Sequence, residues 1–323
     1  MILSQESRRP IVVIDGLNIF TRHYIANPSM SDSGDPIGGL IGFLKNIRFL
    51  CERFNPSALA IAWEGGGSAR RRAKDINYKG NRRPIKLNRY YDDLPETYQN
   101  RDRQLLKLIQ FIRMLPVIQV YVPDCEGDDI VSHMVRSTFR QDKCVIVSSD
   151  KDFYQCIDSR VHQWSPGRKK IMTPSTVLDE FGIRASNFCT TRAFVGDSSD
   201  NIEGVKGAGF KTMSKRFPEL SEQEDVILED LFELSRQRSE DKRSPALFER
   251  ILLAQDSVKK NLSLMTLTEK NISATQALKI DGIIKNFDFS PNKFEFMKLF
   301  LREQIKNFDI DALWVSTRCL RKK

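Results

Sequence analysis

The chain has 323 residues, of which 40% are hydrophobic, enough to bury a substantial core as one large domain or two smaller ones. Fifty-one Lys and Arg against 42 Asp and Glu leave a net charge of +9, which favours a polyanionic partner, nucleic acid before a membrane surface. Six scattered cysteines form no C-x-x-C pair, and no window approaches about 18 uninterrupted apolar residues, which argues against a zinc site, a disulfide framework and membrane insertion.

Ile11 to Ile14 (IVVI) is a β-branched run ending in Asp15-Gly16, and amphipathic spacing through Leu40, Phe43, Leu44 and Ile47 follows it. This predicts strand, loop, helix. The alternation recurs: Ala58–Trp63 as a strand, Leu105–Met114 as a helix, Ile118–Val122 as a strand, Asp128–Phe139 as a helix and Cys144–Val147 as a strand. Strands apolar on both faces, alternating with helices, point to an α/β fold with a parallel sheet covered on both sides. Between Glu64 and Asn100 the apolar rhythm stops, and EGGGSARRRAKDINYKGNRRPIKLNRYYDD interleaves glycines, cations and tyrosines. It reads either as a basic loop or as a segment that orders on nucleic acid, where tyrosines suit bases and cations suit phosphates.

After about residue 190 the pattern is helical. Ser221-x-x-Glu224 has the form of a capping box ahead of Ile227, Leu231 and Leu234. Ser244-Pro245 and Ser290-Pro291 each set a cap residue before a proline, and the second opens a stripe of Phe294, Met297, Leu301 and Ile305 expected in the core. This divides the chain into an α/β core, 1–190, and a helical region, 191–323. A reducing, cytoplasmic setting fits the free cysteines, the host cytoplasm if the chain is phage-encoded.

The predicted strands end in acids: Asp15, Glu64, and Asp150 with Asp152; Asp124, Glu126, Asp128 and Asp129 follow the third strand. In parallel sheets ligands collect beyond the carboxyl ends of strands. For any single Asp a helix cap or loop acid is the plainer reading, but a converging set repels itself unless a cation compensates. Oxygen ligands without His or Cys select a hard ion, Mg²⁺ or Mn²⁺ in its place, and such ions suit phosphodiester hydrolysis. An aspartyl-phosphate phosphotransferase would need a second acid two residues after Asp15, where Leu17 stands.

Downstream, Val195–Lys211 (VGDSSDNIEGVKGAGFK) joins Asp197 and Asp200 to the glycine turn Gly204-Val205-Lys206-Gly207-Ala208-Gly209. Such a turn can aim amide N–H groups at a phosphate. Taken in order, IVVIDGLN, NYKGNRRP, EGDDIV, SSDKDFYQ and VGDSSDNIEGVKGAGFKT resemble the 5′-nuclease (flap endonuclease) superfamily over roughly residues 11–217.

The resemblance implies a PIN-like sheet carrying two metal clusters, a helical arch over about residues 65–100 and a helix-hairpin-helix element over 204–212. Asp15, Glu126, Asp128 and Asp150, with Asp152 beside them, would form the first cluster, and Asp197 and Asp200 the second. Glu64 stands where the family usually has Asp. Tyr78 would stack on a base, and Lys79 and Arg82 would reach the scissile phosphate, with Arg83 adding charge. Gly204, Lys206, Gly207, Gly209 and Lys211 would clamp duplex phosphates, their turn holding a K⁺ ion through its carbonyls. Ser198 and Ser199 are expected to cap the turn rather than attack. The expected activity is metal-dependent 5′→3′ exonuclease and flap endonuclease cleavage of branched or nicked DNA by a monomer. Two other readings keep the fold: removal of RNA from RNA:DNA hybrids, and a catalytically silent branched-DNA binder.

Overall fold

The computed structural model describes residues 9–75, 77–80, 98–241 and 245–320. In chain order the first elements are β1 (Ile11–Asp15), α1 (Gly16–Ala26), α2 (Gly38–Phe54), β2 (Ala58–Trp63), α3 (Ala69–Lys74), α4 (Tyr98–Ile112), β3 (Ile118–Tyr121), α5 (Gly127–His133) and β4 (Cys144–Val147). There follow β5 (Val161–Ser165), β6 (Lys170–Met172), α6 (Pro174–Phe181), α7 (Phe188–Val195), α8 (Phe210–Arg216), α9 (Glu219–Glu222) and α10 (Leu228–Ser239). The chain closes with α11 (Ala246–Leu253), α12 (Gln255–Met265), α13 (Ala274–Lys285), α14 (Lys293–Arg302) and α15 (Ile310–Ser316). No helix among the described residues is long and apolar enough to cross a membrane.

The chain divides into two compact units, and not at residue 190. Unit 1 comprises Met1–Gly67, Pro84–Ser149 and Ile272–Lys323; unit 2 comprises Ser68–Arg83 and Asp150–Asn271. The last fifty residues return to unit 1 because their aromatics belong to its core. Phe111 of α4 packs edge-on against Phe296 and Phe300 of α14, with ring centroids 5.7 and 4.7 Å away. Trp314 of α15 lies 5.8 Å from Phe296.

Unit 1 is built on four parallel strands in the order β3-β2-β1-β4. β1 and β4 are buried along their whole length, as β-branched residues on both faces require of a covered parallel strand. α1 packs closely on α2 and on β2: a Cβ at Gly42 of α2 would fall 2.5 Å from His23 Nδ1, and one at Gly16 of α1 would fall 2.6 Å from the ring of Trp63 in β2. Both positions therefore need glycine. Helix α5 spans less than the expected 128–139, because the chain loosens into a π turn over Met134–Thr138.

Unit 2 contains an antiparallel hairpin, β5 with β6, which the sequence pattern did not announce. Its helical core joins Phe194, Met213, Phe217, Leu231, Phe248 and Ile251. Two expected caps are corrected. Ser221 lies inside the short helix α9, and Ile227 N–H is bonded by Asp230 at the start of α10, with Ile227 itself exposed. In unit 1, Asn292 rather than Ser290 caps α14, accepting from Glu295 N–H at 3.0 Å. Ser244 lies outside the described residues.

The expected core stripe of α14 also turns out differently. Phe294, Met297 and Leu301 are exposed, and the helix buries Phe296, Leu299 and Phe300 instead, while Ile305 is buried as expected. Both sets have helical spacing, and the aromatics of α4 and α15 decided which faces inward.

Candidate active site

In unit 1 the sheet places acids at strand ends and helix starts. Asp15 closes β1 and caps α1, its Oδ1 accepting Asn18 N–H at 3.3 Å while its Oδ2 accepts the Ser148 hydroxyl at 2.9 Å. It is only 6% exposed. Asn18 in turn accepts Ser149 N–H at 3.1 Å, tying the end of β1 to the end of β4. A Cβ at Gly127 would stand 4.0 Å from Asp15 Oδ1, so the Glu126-Gly127-Asp128 turn lies beside that carboxylate. Glu126 and Asp129 are buried and Asp128 is half-buried; Glu126 begins α5 without capping it through its side chain. Carboxylates withdrawn from water at the start of a helix suit a cation site.

Backbone pairing fixes the loop that carries them. Gly65 N–H donates to Cys125 O at 2.9 Å and Asp124 N–H to Gly65 O at 2.8 Å, so half-buried Glu64 is tethered to the acid turn. Asp124 adopts a left-handed conformation, φ 53°. Helix α13 braces the same loop: Gln276 Nε2 donates to the carbonyls of Pro123 and Asp124 at 3.2 and 3.0 Å. At the far end of α5, Asp281 accepts the Thr138 hydroxyl at 2.6 Å and lies 3.2 Å from His133 Nε2. Part of the C-terminal helical region thus serves the acid turn.

Unit 2 holds the other acids. Asp150 Oδ1 accepts Asp152 N–H at 2.9 Å, and buried Gln163 of β5 donates to Asp150 O at 2.7 Å. Asp197 Oδ1 accepts both the N–H and the hydroxyl of Ser199, at 2.9 and 2.7 Å, so here the carboxylate, and not a serine hydroxyl, caps the turn. Arg192 of α7 joins the two segments: its Nε lies 2.6 Å from Asp152 Oδ1 and its Nη2 2.5 Å from Asp197 Oδ2. Burial, then Asp150, pushes the Asp152 carboxyl up to about 7 against the pull of Arg192. At Asp197 burial also pulls upward, but the Ser199 hydroxyl and Arg192 outweigh it and hold the group below the ordinary Asp range.

The basic segment meets this group at Asp200. Tyr78 O–H donates to Asp200 Oδ2 at 3.4 Å, and Lys79 N–H to Asp200 O at 3.0 Å. Tyr78 is buried among Cys189, Ile202, Leu264 and Met265, with the Lys79 ammonium 5.0 Å from its ring centroid. The ring expected to stack on a base is packed inside the protein here. Arg82 and Arg83 lie outside the described residues. Part of the expected basic loop is a helix: Ser68 caps α3, Arg70 and Lys74 donate to Lys270 O and Ser263 O, and Lys260 pairs with Asp75 at 2.8 Å.

The glycine turn follows in the same unit. A Cβ at Gly204 would fall 2.0 Å from Val195 O, and Gly207 has φ 89°, so neither position tolerates a side chain without strain. Gly209 caps α8 with open space around it, and Lys206 and Lys211 are exposed. Residues the sequence pattern missed are Ser148, Asn18, Gln163 and Arg192. Asn18 and Ser148 lie inside the quoted segments IVVIDGLN and SSDKDFYQ without having been singled out, Gln163 and Arg192 lie outside every quoted segment, and only contact across the fold gives the four a role.

Residues 10–182 match the family model described as the 5′-3′ exonuclease, N-terminal resolvase-like domain. The chain belongs to this family. It is 27% identical over 256 residues to the thermostable DNA polymerase I of Thermus aquaticus, covering 79% of this chain and 28% of the polymerase. It therefore spans little more than a quarter of that relative's length. The 5′-3′ exonuclease of Bacillus subtilis is 28% identical over 232 residues, 68% of this chain and 73% of that protein. The fold of this exonuclease-family chain is shared with the bacteriophage T5 flap endonuclease, solved as a pseudo-enzyme–product complex with DNA and metal ions. That match has a TM-score of 0.66 at 16% identity and covers 90% of this chain and 98% of the other.

The donor chemistry of these acids fits a hard divalent ion. The acids supply oxygen alone, and burial first, then the neighbouring Asp150, raises the Asp152 carboxyl. Among the described residues, no three His, Cys, Asp or Glu side chains stand ready around one point. In unit 2 this agrees with Arg192 occupying Asp152 and Asp197.

Proposed function

We propose that the chain is a divalent-metal-dependent, structure-selective 5′-nuclease that cuts branched or nicked duplex DNA near the single-strand junction, by 5′→3′ exonuclease and flap endonuclease action. The observation that carries this reading is the acid group of unit 2, in which Asp152 and Asp197 share one guanidinium and Asp200 is bonded to the Tyr78-Lys79 segment. The T5 neighbour, solved with DNA and metal ions, supports the same reading.

Asp15, Glu126 and Asp128 in unit 1, with Glu64 beside them, and Asp150, Asp152, Asp197 and Asp200 in unit 2 would hold the ions. When bound, divalent ions, Mg²⁺ in the first instance, supply a nucleophile from water at neutral pH and offset charge on the phosphate. Lys79 and Arg82 bring positive charge to the phosphate that is cut. Lys206 within the turn from Gly204 to Gly209, and Lys211 just after it, hold duplex phosphates away from it, and the turn's carbonyls take K⁺. Phosphate contacts carry no base information, so substrates are chosen by shape. Ser199 is no nucleophile, its hydroxyl being committed to Asp197.

The test is a labelled 5′-flap duplex incubated with Mg²⁺ and with EDTA, the products being sized. Metal-dependent release of the flap or of short 5′ products is expected; binding without cutting in both Mg²⁺ and Mn²⁺ would instead mark a silent binder. A matched flap with an RNA 5′ segment, if cut in preference, would favour primer removal.

A further inference from the structure

Arg192 sits where a cation is expected. Its guanidinium touches Asp152 Oδ1 at 2.6 Å and Asp197 Oδ2 at 2.5 Å, and all three side chains are only 12–14% exposed. The other oxygen of Asp197 is occupied by Ser199, through both its N–H and its hydroxyl. In this structure Asp197 therefore has each oxygen bonded to a protein group. Arginine stays protonated inside proteins, so it can release these carboxylates only by moving.

We propose that Arg192 is an internal counter-ion that a divalent cation displaces from Asp152 and Asp197, and that it thereby sets the metal affinity of this acid group. The inference rests on the metal-dependent reading above and concerns the metal-free chain. A hard ion takes carboxylate oxygens at about 2.1 Å, closer than any N–H donor, and two positive groups cannot share one short-range position. Without any cation, the crowded carboxylates would drive one another to protonate. Arg192 removes that penalty while the site waits, and in doing so makes loading harder. A residue that merely aligned the ligands would have the opposite effect on affinity, and this separates the two roles.

The experiment measures Mn²⁺ binding without DNA, by electron paramagnetic resonance of the free ion, for the wild type, Arg192→Gln and Arg192→Lys, with thermal unfolding in EDTA and in saturating Mn²⁺. Arg192→Gln is expected to bind Mn²⁺ roughly ten-fold more tightly. It should unfold at a lower temperature than wild type in EDTA and recover most of that loss in Mn²⁺. Unchanged or weaker Mn²⁺ binding by folded Arg192→Gln overturns the proposal. Should that variant fail to fold without metal, Arg192→Lys carries the test, since its single ammonium cannot span both carboxylates. Tighter binding than wild type supports displacement, and equal or weaker binding overturns it. A wild type that cuts DNA in Mn²⁺ beside an unchanged variant sinks the counter-ion alone. A wild type that neither binds Mn²⁺ nor cuts sinks the nuclease reading with it.

Discussion

The acids of unit 1 and those of unit 2 are managed in different ways. In unit 1, Asp15 stands at the end of a buried parallel strand and is held by Ser148 and a helix N–H, while Glu126, Asp128 and Asp129 open a short helix after a loop that Gln276 of α13 braces. At Asp15 the donors are neutral, a backbone N–H and a hydroxyl. In unit 2, Asp152 opens a short 3-10 helix and Asp197 a turn closed by Ser199, and the charge of Arg192 joins the two. The difference teaches that a carboxylate can be positioned for metal either by the fold's amides and hydroxyls or by a resident cation. The second arrangement puts a competitor in the site.

The largest effect expected from breaking this comparison is on catalysis. Asp150→Asn and Asp197→Asn should each lower single-turnover cleavage by on the order of 10³-fold or more, with junction binding retained in a gel-shift assay. Wild-type turnover by either variant would remove the acid group of unit 2 from the reaction. Phe300→Ala should next cost unit 1 about 3–5 kcal/mol by leaving a cavity against Phe111, whereas Leu301→Ala, one residue on and exposed, should change denaturant stability by less than about 0.5 kcal/mol. Equal losses would place the buried face of α14 elsewhere. Lys79→Ala is expected to slow cleavage roughly 10²-fold while leaving Mn²⁺ binding unchanged, and unaltered single-turnover rates would exclude it from the mechanism.

The smallest effect is a pH dependence in unit 1. Burial, and then Arg22, lowers the pKa of His23 from 6.5 to about 4. Below pH 6.5 the unfolded chain binds a proton that the folded chain refuses, so this stability is present above about 6.5 and is lost as pH falls toward 4. The loss should be on the order of 2 kcal/mol, seen as a fall in urea midpoint that His23→Gln flattens. A midpoint equally steep in that variant would assign the acid sensitivity to other groups.

Much of the site was legible in the sequence because its signals are local. Strands run apolar on both faces and end in acids, and the glycine turn needs glycine at Gly204 and Gly207 for reasons of backbone geometry alone. The strands β2 and β4 fall where periodicity puts them, and β1 runs one residue further, taking in Asp15. Less was legible wherever two local readings were equally good. On α14 the stripes through Phe294 and through Phe296 both have helical spacing, and the aromatics across the unit chose between them. The caps failed for the same reason: Ser221 and Ser290 have capping chemistry, but Asp230 and Asn292 stand where the helices begin.

By itself, then, the sequence determined the fold class, the order of the acids and the turn that follows them, because each depends on neighbours a few residues apart. Tertiary structure decided which residues serve the acids. It sent residues 272–323 back to unit 1, so that α13 braces the loop before Glu126. It also brought Arg192 between Asp152 and Asp197, forty residues and five residues away along the chain. A single arginine in an apolar helix carries no periodic signal; its partners exist only once the chain has folded and charge has to be balanced out of reach of water.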